Sequence, residues 1–548
     1  MDIRRPTAAR MHDAAFLAAC LAYVWAGIDP RLIYHCQRPI FYTYPGFLNE
    51  FLTYPGGPAD YLYALVAQAY AFAGWGAIVL TAQIAAVMAL TEVYFTTLAD
   101  GALPLVRYVP ALLLLSEANL YYDRTPMALA LLLGLALAIL FVRLSKRWSN
   151  WAVLLAAFAV MLLAAYYLAG VVAIVFFAPP AALVLIARRL SRHAPQPRKR
   201  PLAAGLATAL PLLALAAVAA AGYHLNSHDR ILAALDFHCS HEDWPAVIDA
   251  SRRLEAGDFN SLTRYQVNLA LYEMNRLGDD MFRFPQSGSL LPELRTDRVL
   301  PHMLRIADFC LRLGRVNDAE RFGGEAMILG QSDPRTCRLL AGVNLVKGQT
   351  GVARKFLTAL SYEVGSQTWA RQRLRDLDRD PQLNGDADVQ LLRRRMLRQD
   401  DVLPVWQRAG KPAGDMERLL LDQLEQDPSN RMAFEFLMGS YLVARDMAAA
   451  VAAMPRINDM TGPAYIGPGG RRRTPRHFQE AMAMVAASTG QSVNIDGLEI
   501  QPETMARMAV FKRIMDHSPS REAAREAAWS NFRDSYFFYF VFGPGDYR

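Results

Sequence analysis

Residues 127–143 read MALALLLGLALAILFVR, and residues 151–187 read WAVLLAAFAVMLLAAYYLAGVVAIVFFAPPAALVLIA. A helix that crosses the hydrocarbon core of a bilayer needs about 20 mostly apolar residues, because its backbone must satisfy its own hydrogen bonds there. The first stretch predicts one crossing, and the second predicts two, joined by a turn near Tyr166 and Tyr167. These stretches decide the fold class, which is an all-α, polytopic transmembrane helix bundle.

Further apolar stretches bring the predicted number of spans to about seven: 14–28, 76–97, 102–118 and 202–222. Residues 59–73 are also apolar, but this stretch is short, and we expect it to lie at the membrane interface or to re-enter rather than to cross. If it crossed, the C-terminal part of the chain would change sides. The sequence therefore predicts a transmembrane bundle with structured outer loops over residues 1–222.

Basic residues fix the orientation of this bundle, because Lys and Arg concentrate in the short loops on the cytoplasmic side. They cluster before the first span, after the fourth and before the last: Arg4, Arg5, Arg10, Arg143, Lys146, Arg147, Arg188, Arg189, Arg192, Arg198, Lys199 and Arg200. Seven spans place the three clusters on one side. Residues 29–75, 119–126 and everything after 222 then face outward, which is the periplasm for a bacterial inner membrane. Much of the net charge of +7 lies in these clusters, so it indicates membrane topology and not a nucleic-acid partner.

Residues 223–548 have a helical period and few β-branched runs, which predicts a soluble, extracytoplasmic α-helical domain. The segment LGRVNDA at 313–319 is followed 34 residues later by KGQTGVA at 347–353. This spacing resembles the tetratricopeptide repeat, in which pairs of helices stack and form a concave surface. The resemblance implies a protein partner on that surface. Alternatively, the array packs only on its own membrane bundle.

The two main outer loops carry acidic side chains. In the first loop, Thr-Tyr-Pro-Gly occurs at 43–46 and again at 53–56. Pro-Gly pairs fix tight turns, so this loop should be ordered and hold Glu50 and Asp60 near the membrane surface. In the second loop, an acid at position 123 precedes an arginine at 124. These two form either a local ion pair or a site for a phosphate-bearing lipid, since a guanidinium matches phosphate geometry.

Acidic outer loops on a multi-span bundle, followed by an extracytoplasmic domain, resemble the C-type glycosyltransferases. The resemblance implies transfer of a sugar from a polyprenyl-phosphate lipid at the outer face, with an outer-loop acid as the base or as a ligand of a divalent metal ion. Carried over by position, the catalytic candidates are Glu50, Asp60 and Asp123. The candidates for substrate binding are Arg38, Arg124, Tyr54, Tyr122, Tyr166 and Tyr167. A carboxylate can take the proton of an acceptor hydroxyl, and a guanidinium can stabilise a leaving phosphate.

A non-enzymatic function is the alternative. The membrane half of the chain lacks the paired Asp-Asp or Asp-Glu found in many C-type glycosyltransferases, so the outer-loop acids can equally cap helices and pair locally. The bundle would then be the membrane anchor of a scaffold whose repeat domain binds proteins of the cell envelope.

The chain also resembles an uncharacterised bacterial membrane-protein family of unknown function. The resemblance rests on four segments: YPGGPAD at 54–60, DMFRFPQ at 280–286, MAFEFLM at 432–438 and PRHFQE at 475–480. Because these segments lie in both halves, the resemblance extends to the whole architecture. It brings no established activity with it.

Several common sites are absent from the sequence. It contains no Walker loop, no GxGxxG after a strand and no GxSxG, which argues against ATP-driven transport, dinucleotide redox chemistry and α/β-hydrolase chemistry. His224 and His228 could share one helix face as a metal pair, but no HExxH motif accompanies them, so no metal ligand is assigned. The sequence leaves open whether a disulfide forms among four of the five cysteines: Cys36, Cys239, Cys310 and Cys337.

Two C-terminal segments carry further expectations. The aromatic run at 535–542 is predicted to be a final buried element. The loop GPGGRRR at 467–473 is predicted to be a solvated surface loop.

Overall fold

The computed structural model describes residues 7–99, 105–122, 126–190, 204–288, 290, 300–330, 333–397, 412–489, 498 and 500–543. These residues form helices and turns, with isolated β-bridges but no strand among them. The chain divides into two compact units. The first contains Met1–Ala233 together with Tyr362–Gly365, and the second contains Ala234–Ser361 together with Ser366–Arg548. All five cysteines are free thiols.

The described helices of the first unit follow one another in chain order: α1 (Thr7–Tyr23), α2 (Pro30–Gln37), α3 (Phe47–Phe51), α4 (Gly57–Val66), α5 (Ala73–Ala99), α6 (Tyr108–Glu117), α7 (Met127–Arg147), α8 (Trp151–Leu190), α9 (Ala204–Leu225) and α10 (Ser227–Ser240), which continues into the second unit. A π-helical turn, Val24–Ile28, extends α1, and a 3-10 turn, Ala67–Ala71, lies between α4 and α5.

Several of these helices are suited to a membrane. Within the described residues, four are long and apolar enough to cross one: Met11–Ile28, Ala73–Leu98, Met127–Arg147 and Trp151–Ile186. The number becomes five if α9 and α10, which are bent by 64°, are taken as one broken span. Large apolar side chains on α8 and α9 are exposed, among them Val160, Leu163 and Leu213. An apolar surface of this kind is expected where helices face lipid.

Helix α8 reverses direction at its centre. Ala169 (φ −143°, ψ 23°) and Gly170 (φ 70°, ψ −164°) leave the helical conformation, and the rings of Phe158 and Phe177 stack with their centroids 5.6 Å apart. A continuous helix over this separation would place the two rings about 28 Å apart. Helix α8 is therefore a helical hairpin, and its turn falls a few residues after the predicted one.

The predicted span at 102–118 is represented by a shorter helix. Helix α6 covers ten residues, or about 15 Å, which is less than the thickness of the hydrocarbon core. It packs beside α1, since the rings of Phe16 and Tyr108 lie 4.8 Å apart and the Tyr23 hydroxyl donates to Asn119 Oδ1 at 2.7 Å. The earlier residue of α1, Phe16, contacts the start of α6, and the later residue, Tyr23, contacts Asn119 just after its end. Helix α6 therefore runs parallel to α1.

A cluster of charges is buried where α6 begins. The guanidinium of Arg107 lies 2.8 Å from a carboxylate oxygen of Asp13 and 3.0 Å from one of Glu92. The Tyr108 hydroxyl also donates to Asp13, at 2.8 Å. Charges inside a helix bundle are tolerated where they pair with one another, and this cluster joins α1, α5 and α6 at the same end.

The described helices of the second unit, after α10, are α11 (Trp244–Ser251), α12 (Ser261–Glu273), α13 (Leu277–Asp280), α14 (Leu300–Leu313), α15 (Val316–Gly330), α16 (Pro334–Val346), α17 (Thr350–Leu360), α18 (Gln367–Arg379), α19 (Ala387–Arg395), α20 (Pro412–Gln426), α21 (Arg431–Ala444), α22 (Met447–Ala453), α23 (Arg476–Thr489), α24 (Pro502–His517), α25 (Arg521–Phe532) and α26 (Tyr536–Phe542).

Helices α14 to α17 repeat at a constant offset. Helix α14 begins at Leu300 and α16 begins at Pro334, 34 residues later, and the same offset separates the starts of α15 and α17. Gly314 and Gly348 occupy equivalent turns with φ of 102° and 72°, a conformation that glycine adopts without strain. The repeat read from the sequence is therefore a repeat of helix pairs.

The aromatic C-terminal run is buried, which confirms that expectation. Tyr536, Phe537, Phe538 and Tyr539 of α26 are all at most 5% exposed. The Ser535 hydroxyl accepts a hydrogen bond from the Phe538 N–H and caps the helix. Burial of four large aromatic side chains makes this short helix part of the core of the second unit.

Candidate functional site

Two equivalent turns form the loop that the sequence predicts to be the first outer loop. In each, the glycine of Thr-Tyr-Pro-Gly precedes a helix with a positive φ, 114° at Gly46 before α3 and 95° at Gly56 before α4. Residues with a Cβ adopt this conformation rarely. The next glycine is required for space, because a Cβ at Gly57 would lie 1.7 Å from the carbonyl oxygen of Phe51. The glycines of the motif thus fix the path of the loop.

Each turn holds a carboxylate against its own tyrosine. The Tyr54 hydroxyl donates a 3.0 Å hydrogen bond to Asp60 Oδ2, and the Tyr44 hydroxyl donates to Glu50 Oε1. In both cases the acid follows the tyrosine by six residues and lies in the first turn of the helix. The loop is therefore a structural duplication that contains two tyrosine–carboxylate pairs.

The two tyrosine–carboxylate pairs differ in burial. Glu50 is exposed, whereas Asp60 is partly buried, and burial raises the pKa of the Asp60 carboxyl although the hydrogen bond from Tyr54 opposes it. Burial and then the bond to Asp60 raise the pKa of Tyr54 to about 12. The bond to Glu50 raises the pKa of Tyr44 to about 12. Both phenols therefore stay protonated donors near neutral pH, and Asp60 is a more basic carboxylate than a solvated one.

The turn that contains Tyr54 and Asp60 packs against the turn of the α8 hairpin. The Gly56 N–H donates to the Tyr167 carbonyl oxygen at 2.8 Å, and the Tyr167 hydroxyl donates to the Leu52 carbonyl oxygen at 3.1 Å. A Cβ at Gly56 would lie 3.4 Å from the Gly170 Cα, so the two backbones approach closely. These contacts bring Asp60 and Tyr167 into one neighbourhood.

A segment from later in the chain completes this loop. The Thr43 N–H donates to the Tyr362 carbonyl oxygen at 2.8 Å, and the Val364 N–H donates to the Phe41 carbonyl oxygen at 3.2 Å. Tyr42 and Glu363 form an antiparallel bridge between these bonds. The first unit therefore holds the loop from two sides, through this bridge and through the α8 turn.

The remaining predicted site residues lie at other positions of the first unit. Arg38 follows α2 with a φ of 50° and is partly buried. Tyr166 precedes Tyr167 on the hairpin, and its side chain is exposed, as is that of Tyr122. Two predicted residues lie outside the described part of the chain, Asp123 and Arg124. Of the predicted set, the structure thus pairs Tyr54 with Asp60 and places Tyr167 against the same turn, whereas Glu50 lies in the other turn and is bonded to Tyr44.

The described residues of the loop do not suit a divalent metal ion. Such an ion takes several oxygen ligands at once, whereas Glu50 and Asp60 each hold a tyrosine hydroxyl. Within the described ranges, no group of three or more His, Cys, Asp or Glu side chains is arranged to hold a metal ion.

In the second unit, buried and partly buried charged groups surround Arg476. Its guanidinium donates to both carboxylate oxygens of Asp534, at 3.1 and 3.0 Å, and to Glu480 Oε1 at 2.9 Å. Glu480 Oε2 accepts from the Tyr536 N–H at 2.7 Å and lies 2.9 Å from Nδ1 of the fully buried His477. Burial opposes ionisation of Glu480, but the bond to His477 and the charge of Arg476 lower its pKa. We call these five residues the Arg476 network.

A polar cleft of about 360 Å³ adjoins the Arg476 network. It is lined by Asp279, Arg473, Thr474, Arg476, Gln479, Glu480, Gln501, Glu503, Thr504 and Arg507. Asp279 accepts from the Arg476 N–H at 2.8 Å and from the side chain of Arg473. The predicted solvated loop is exposed from Gly469 to Arg472, and Arg473 at its end is partly buried.

Both units are covered by one family model. A family of unknown function, DUF6057, matches residues 5–227 and 180–543. The chain belongs to this family. No curated protein and no solved structure matches it. Membership of DUF6057 confirms the predicted relationship to an uncharacterised family.

Three of the four segments on which the family resemblance rests meet in the second unit of this DUF6057 protein. The ring of Phe282, from 280–286, lies 4.8 Å from that of His477. The ring of Phe434, from 432–438, lies 6.2 Å from that of Phe478. Segments far apart in the sequence thus build the surroundings of the Arg476 network.

The sequence predicted no site in the Arg476 network, although a signal was present. The segment PRHFQE places three ionisable groups within five positions around an apolar ring. Ionisable residues in such apolar segments become buried, and a buried charge requires partners. The partners Asp279 and Asp534 could not be assigned, because they come from distant parts of the chain.

Proposed function

We propose that this DUF6057 protein is a membrane-embedded, glycosyltransferase-like protein that uses a polyprenyl-phosphate-linked sugar at the outer face of a bacterial inner membrane. The observation that carries the proposal is the pair formed by Tyr54 and Asp60. The Asp60 carboxylate is partly buried and has a raised pKa, and it accepts a 3.0 Å hydrogen bond from the Tyr54 hydroxyl. The backbone of this turn is held at Gly56 by the turn of the α8 hairpin.

Transfer of the sugar to a hydroxyl group requires a proton acceptor and stabilisation of the leaving phosphate. Asp60 would take the proton of the acceptor hydroxyl as the hydroxyl oxygen attacks the anomeric carbon of the sugar. The bond from that carbon to the phosphate oxygen breaks, and polyprenyl phosphate leaves with the electron pair. Arg38 and Arg124 are the proposed cations for that phosphate. Glu50 and Asp123 are proposed to assist Asp60.

Exposed aromatic rings support a saccharide at this place. The side chains of Tyr54, Tyr166 and Tyr167 are each at least 40% exposed, and Tyr122 is proposed to join them. Tyrosine offers an apolar ring face together with a polar hydroxyl, which suits the mixed surface of a sugar on a lipid carrier. Both tyrosines of the hairpin precede the α8 turn on which the loop rests.

The proposal places both the outer loop and the second unit in the periplasm. Seven membrane segments are required, namely α1, α5, α6, α7, the two halves of α8, and α9. The parallel course of α1 and α6 and the reversal within α8 support this count. The basic clusters at the ends of these segments support a cytoplasmic location for the opposite face.

Substitution of the acids tests the proposal. In a strain that lacks the chromosomal gene, Asp60→Asn should abolish a cell-envelope glycan at unchanged protein level, and Glu50→Gln and Asp123→Asn should reduce it. Asp229→Asn is the matched control, because Asp229 is an exposed acid of the same unit outside the loop. Wild-type glycan in all three acid variants would exclude the glycosyltransferase-like function.

A scaffold function is the second candidate, and the 34-residue offset of α14 to α17 favours it. Such an offset is typical of tetratricopeptide-like arrays, whose concave surface binds a protein segment. The partner would be a protein of the cell envelope. Photo-crosslinkers placed along α14 and α16 of the full-length chain test this, since one reproducible adduct supports a scaffold and no adduct at any position argues against it.

A further inference from the structure

The face shared by α14 and α16 already binds an acidic segment of the chain itself. Asp236, near the end of α10, accepts two hydrogen bonds at Oδ1 from the Arg305 guanidinium of α14, at 3.1 and 3.0 Å. Its other carboxylate oxygen lies 3.9 Å from Nη1 of Arg335 on α16. The side chains of Arg305 and Asp236 are at most 16% exposed, and all three residues belong to the second unit. Two arginines on neighbouring helices thus hold one carboxylate against this face.

This face continues from α16 onto α18. Arg338 stands three positions after Arg335, so both side chains lie on the same side of α16. The Arg338 guanidinium lies over the Trp369 ring of α18, 4.4 Å from its centroid. A guanidinium held by an aromatic ring keeps N–H groups at its edge for a planar ligand such as a carboxylate. The contact with Trp369 therefore fixes Arg338 in a position to receive an anion.

Arg338 has no acidic partner. It is exposed and forms no hydrogen bond or ion pair within the part of the chain that the structure describes. Glu242 is close enough to act on its charge, but the Glu242 carboxylate accepts from the Arg312 side chain. Desolvation and then the charge of Arg373 lower the pKa of Arg338, so the surroundings leave its positive charge uncompensated. An added carboxylate would remove this imbalance.

We propose that Arg338 and Trp369 bind an acidic side chain of a partner protein, in a segment that lies along α16 and α18. The bound carboxylate would accept two hydrogen bonds from Arg338, and apolar groups beside it would pack on Trp369. A protein segment is favoured over a free anion because the guanidinium and the ring lie side by side, and a free anion would use the guanidinium alone. The inference rests on the scaffold function and gives the chemistry of its partner.

Crosslinking at Gln372 tests the inference. This residue is exposed and stands three positions after Trp369 on α18. Gln372 is replaced by p-benzoylphenylalanine in the full-length chain, cells are irradiated, and the crosslinked peptide is identified by mass spectrometry. We expect an adduct with a protein segment that contains Asp or Glu. Arg338→Gln should reduce the adduct strongly, and Arg253→Gln, at an exposed arginine after α11, should leave it unchanged.

A synthetic peptide of the crosslinked segment gives the affinity. It is titrated against the full-length chain in lipid nanodiscs, beside a version with Asn and Gln in place of its Asp and Glu. Loss of the acids and Arg338→Gln should each raise the dissociation constant at least about tenfold, because each removes one side of a charged hydrogen-bonded pair. Arg253→Gln should bind the acidic peptide like wild type.

The outcomes separate this inference from the scaffold function. The inference is overturned if Gln372 yields no adduct, if the adduct is with lipid, if the crosslinked segment has no acid, or if Arg338→Gln changes neither the adduct nor the affinity. Protein adducts from α14 or α16 in any of these cases would still support the scaffold. The absence of an adduct at every position on α14, α16 and α18 would exclude both.

Discussion

The Tyr54 hydroxyl and the Asp60 carboxylate are joined by a 3.0 Å hydrogen bond, and the same relationship recurs ten positions earlier between Tyr44 and Glu50. The loop thus contains the same tyrosine–carboxylate pair twice, and within the described residues the second pair is the one that rests on the α8 turn, through Gly56. Burial of the second pair raises the pKa of Asp60. The duplication therefore offers an internal comparison between a partly buried carboxylate and an exposed one.

Tyr54→Phe should shift the pH dependence of sugar transfer. The hydroxyl stabilises the charged form of Asp60, so its loss raises the pKa of this carboxyl further. A base must be deprotonated to act, and the acidic limb of the rate profile should therefore move to higher pH. Transfer from a polyprenyl-phosphate sugar in nanodiscs, followed from pH 5 to 8, measures this. Tyr223→Phe is the control, and coincident profiles for both variants would contradict the assignment of Asp60 as the base.

Gly57→Ala should destabilise the first unit strongly. The new Cβ would overlap the Phe51 carbonyl oxygen at 1.7 Å, so the start of α4 must move. We expect the free energy of unfolding to fall by about 1–3 kcal/mol or more, as for overpacking of a core. The melting temperature of the purified chain should fall accordingly. Gly74→Ala is the control, because no atom lies within 4 Å of its Cβ position. Equal melting temperatures for the two variants would refute the close packing.

Labelling of one added cysteine at a time should report the orientation of the bundle. Ser149→Cys lies between α7 and α8, and Asp229→Cys lies on α10; both positions are exposed. With the basic loops inside, an impermeant maleimide should modify position 229 in intact spheroplasts and position 149 only after permeabilisation. The wild-type chain, which has five cysteines of its own, gives the background. The reverse pattern would place the second unit in the cytoplasm.

Glu435→Gln should flatten the pH dependence of stability of the second unit. Burial raises the pKa of Glu435 from 4.5 to about 7, so the folded state binds a proton more readily than the unfolded state does. Stability should then fall as the pH rises from about 4.5 to about 7. The melting temperature of the wild type should decrease across this range, and that of Glu435→Gln should change less. Parallel curves for the two proteins would show that Glu435 titrates normally.

Glu480→Gln should cost more stability than Asp534→Asn. Glu480 is 1% exposed, and its neutralisation leaves Arg476 without a buried anionic partner. We expect the free energy of unfolding to fall by roughly 3 kcal/mol. The Asp534 side chain is 34% exposed, so its ion pair should contribute about 1 kcal/mol. The pKa values of both acids are lowered, so this stability is lost as the pH falls through the acidic range. Urea titrations at pH 7 and pH 4 measure the order, and a reversed order would disprove it.

Sequence patterns predicted the membrane helices well where a single helix is apolar throughout. The stretch at 127–143 lies within α7, and the turn of α8 was placed a few residues before Gly170. The pattern could not show that α6 is short, because apolar residues continue on both sides of it. Local hydropathy reports burial in lipid or protein but not where a helix ends.

The candidate sites were predicted unevenly for a physical reason. The outer loop could be read from the sequence because its contacts are local, with Tyr54 and Asp60 only six residues apart. The ion pair between Arg473 and Asp279 joins positions separated by 194 residues, and no periodicity encodes such a contact. The residues of the Arg476 network become neighbours only in the folded second unit, so their spacing in the sequence does not predict the network.

The bridge between Tyr42 and Glu363 has a consequence for biosynthesis. The ribosome completes this loop long before it makes Tyr362–Gly365, so the backbone groups of Phe41 and Thr43 lack these partners while Ala234–Ser361 of the second unit is being translated. A nascent chain that stalls in this interval carries an unfinished loop, which surveillance proteases could recognise. Splitting the gene at the end of the membrane helices would leave the same defect in its shorter product.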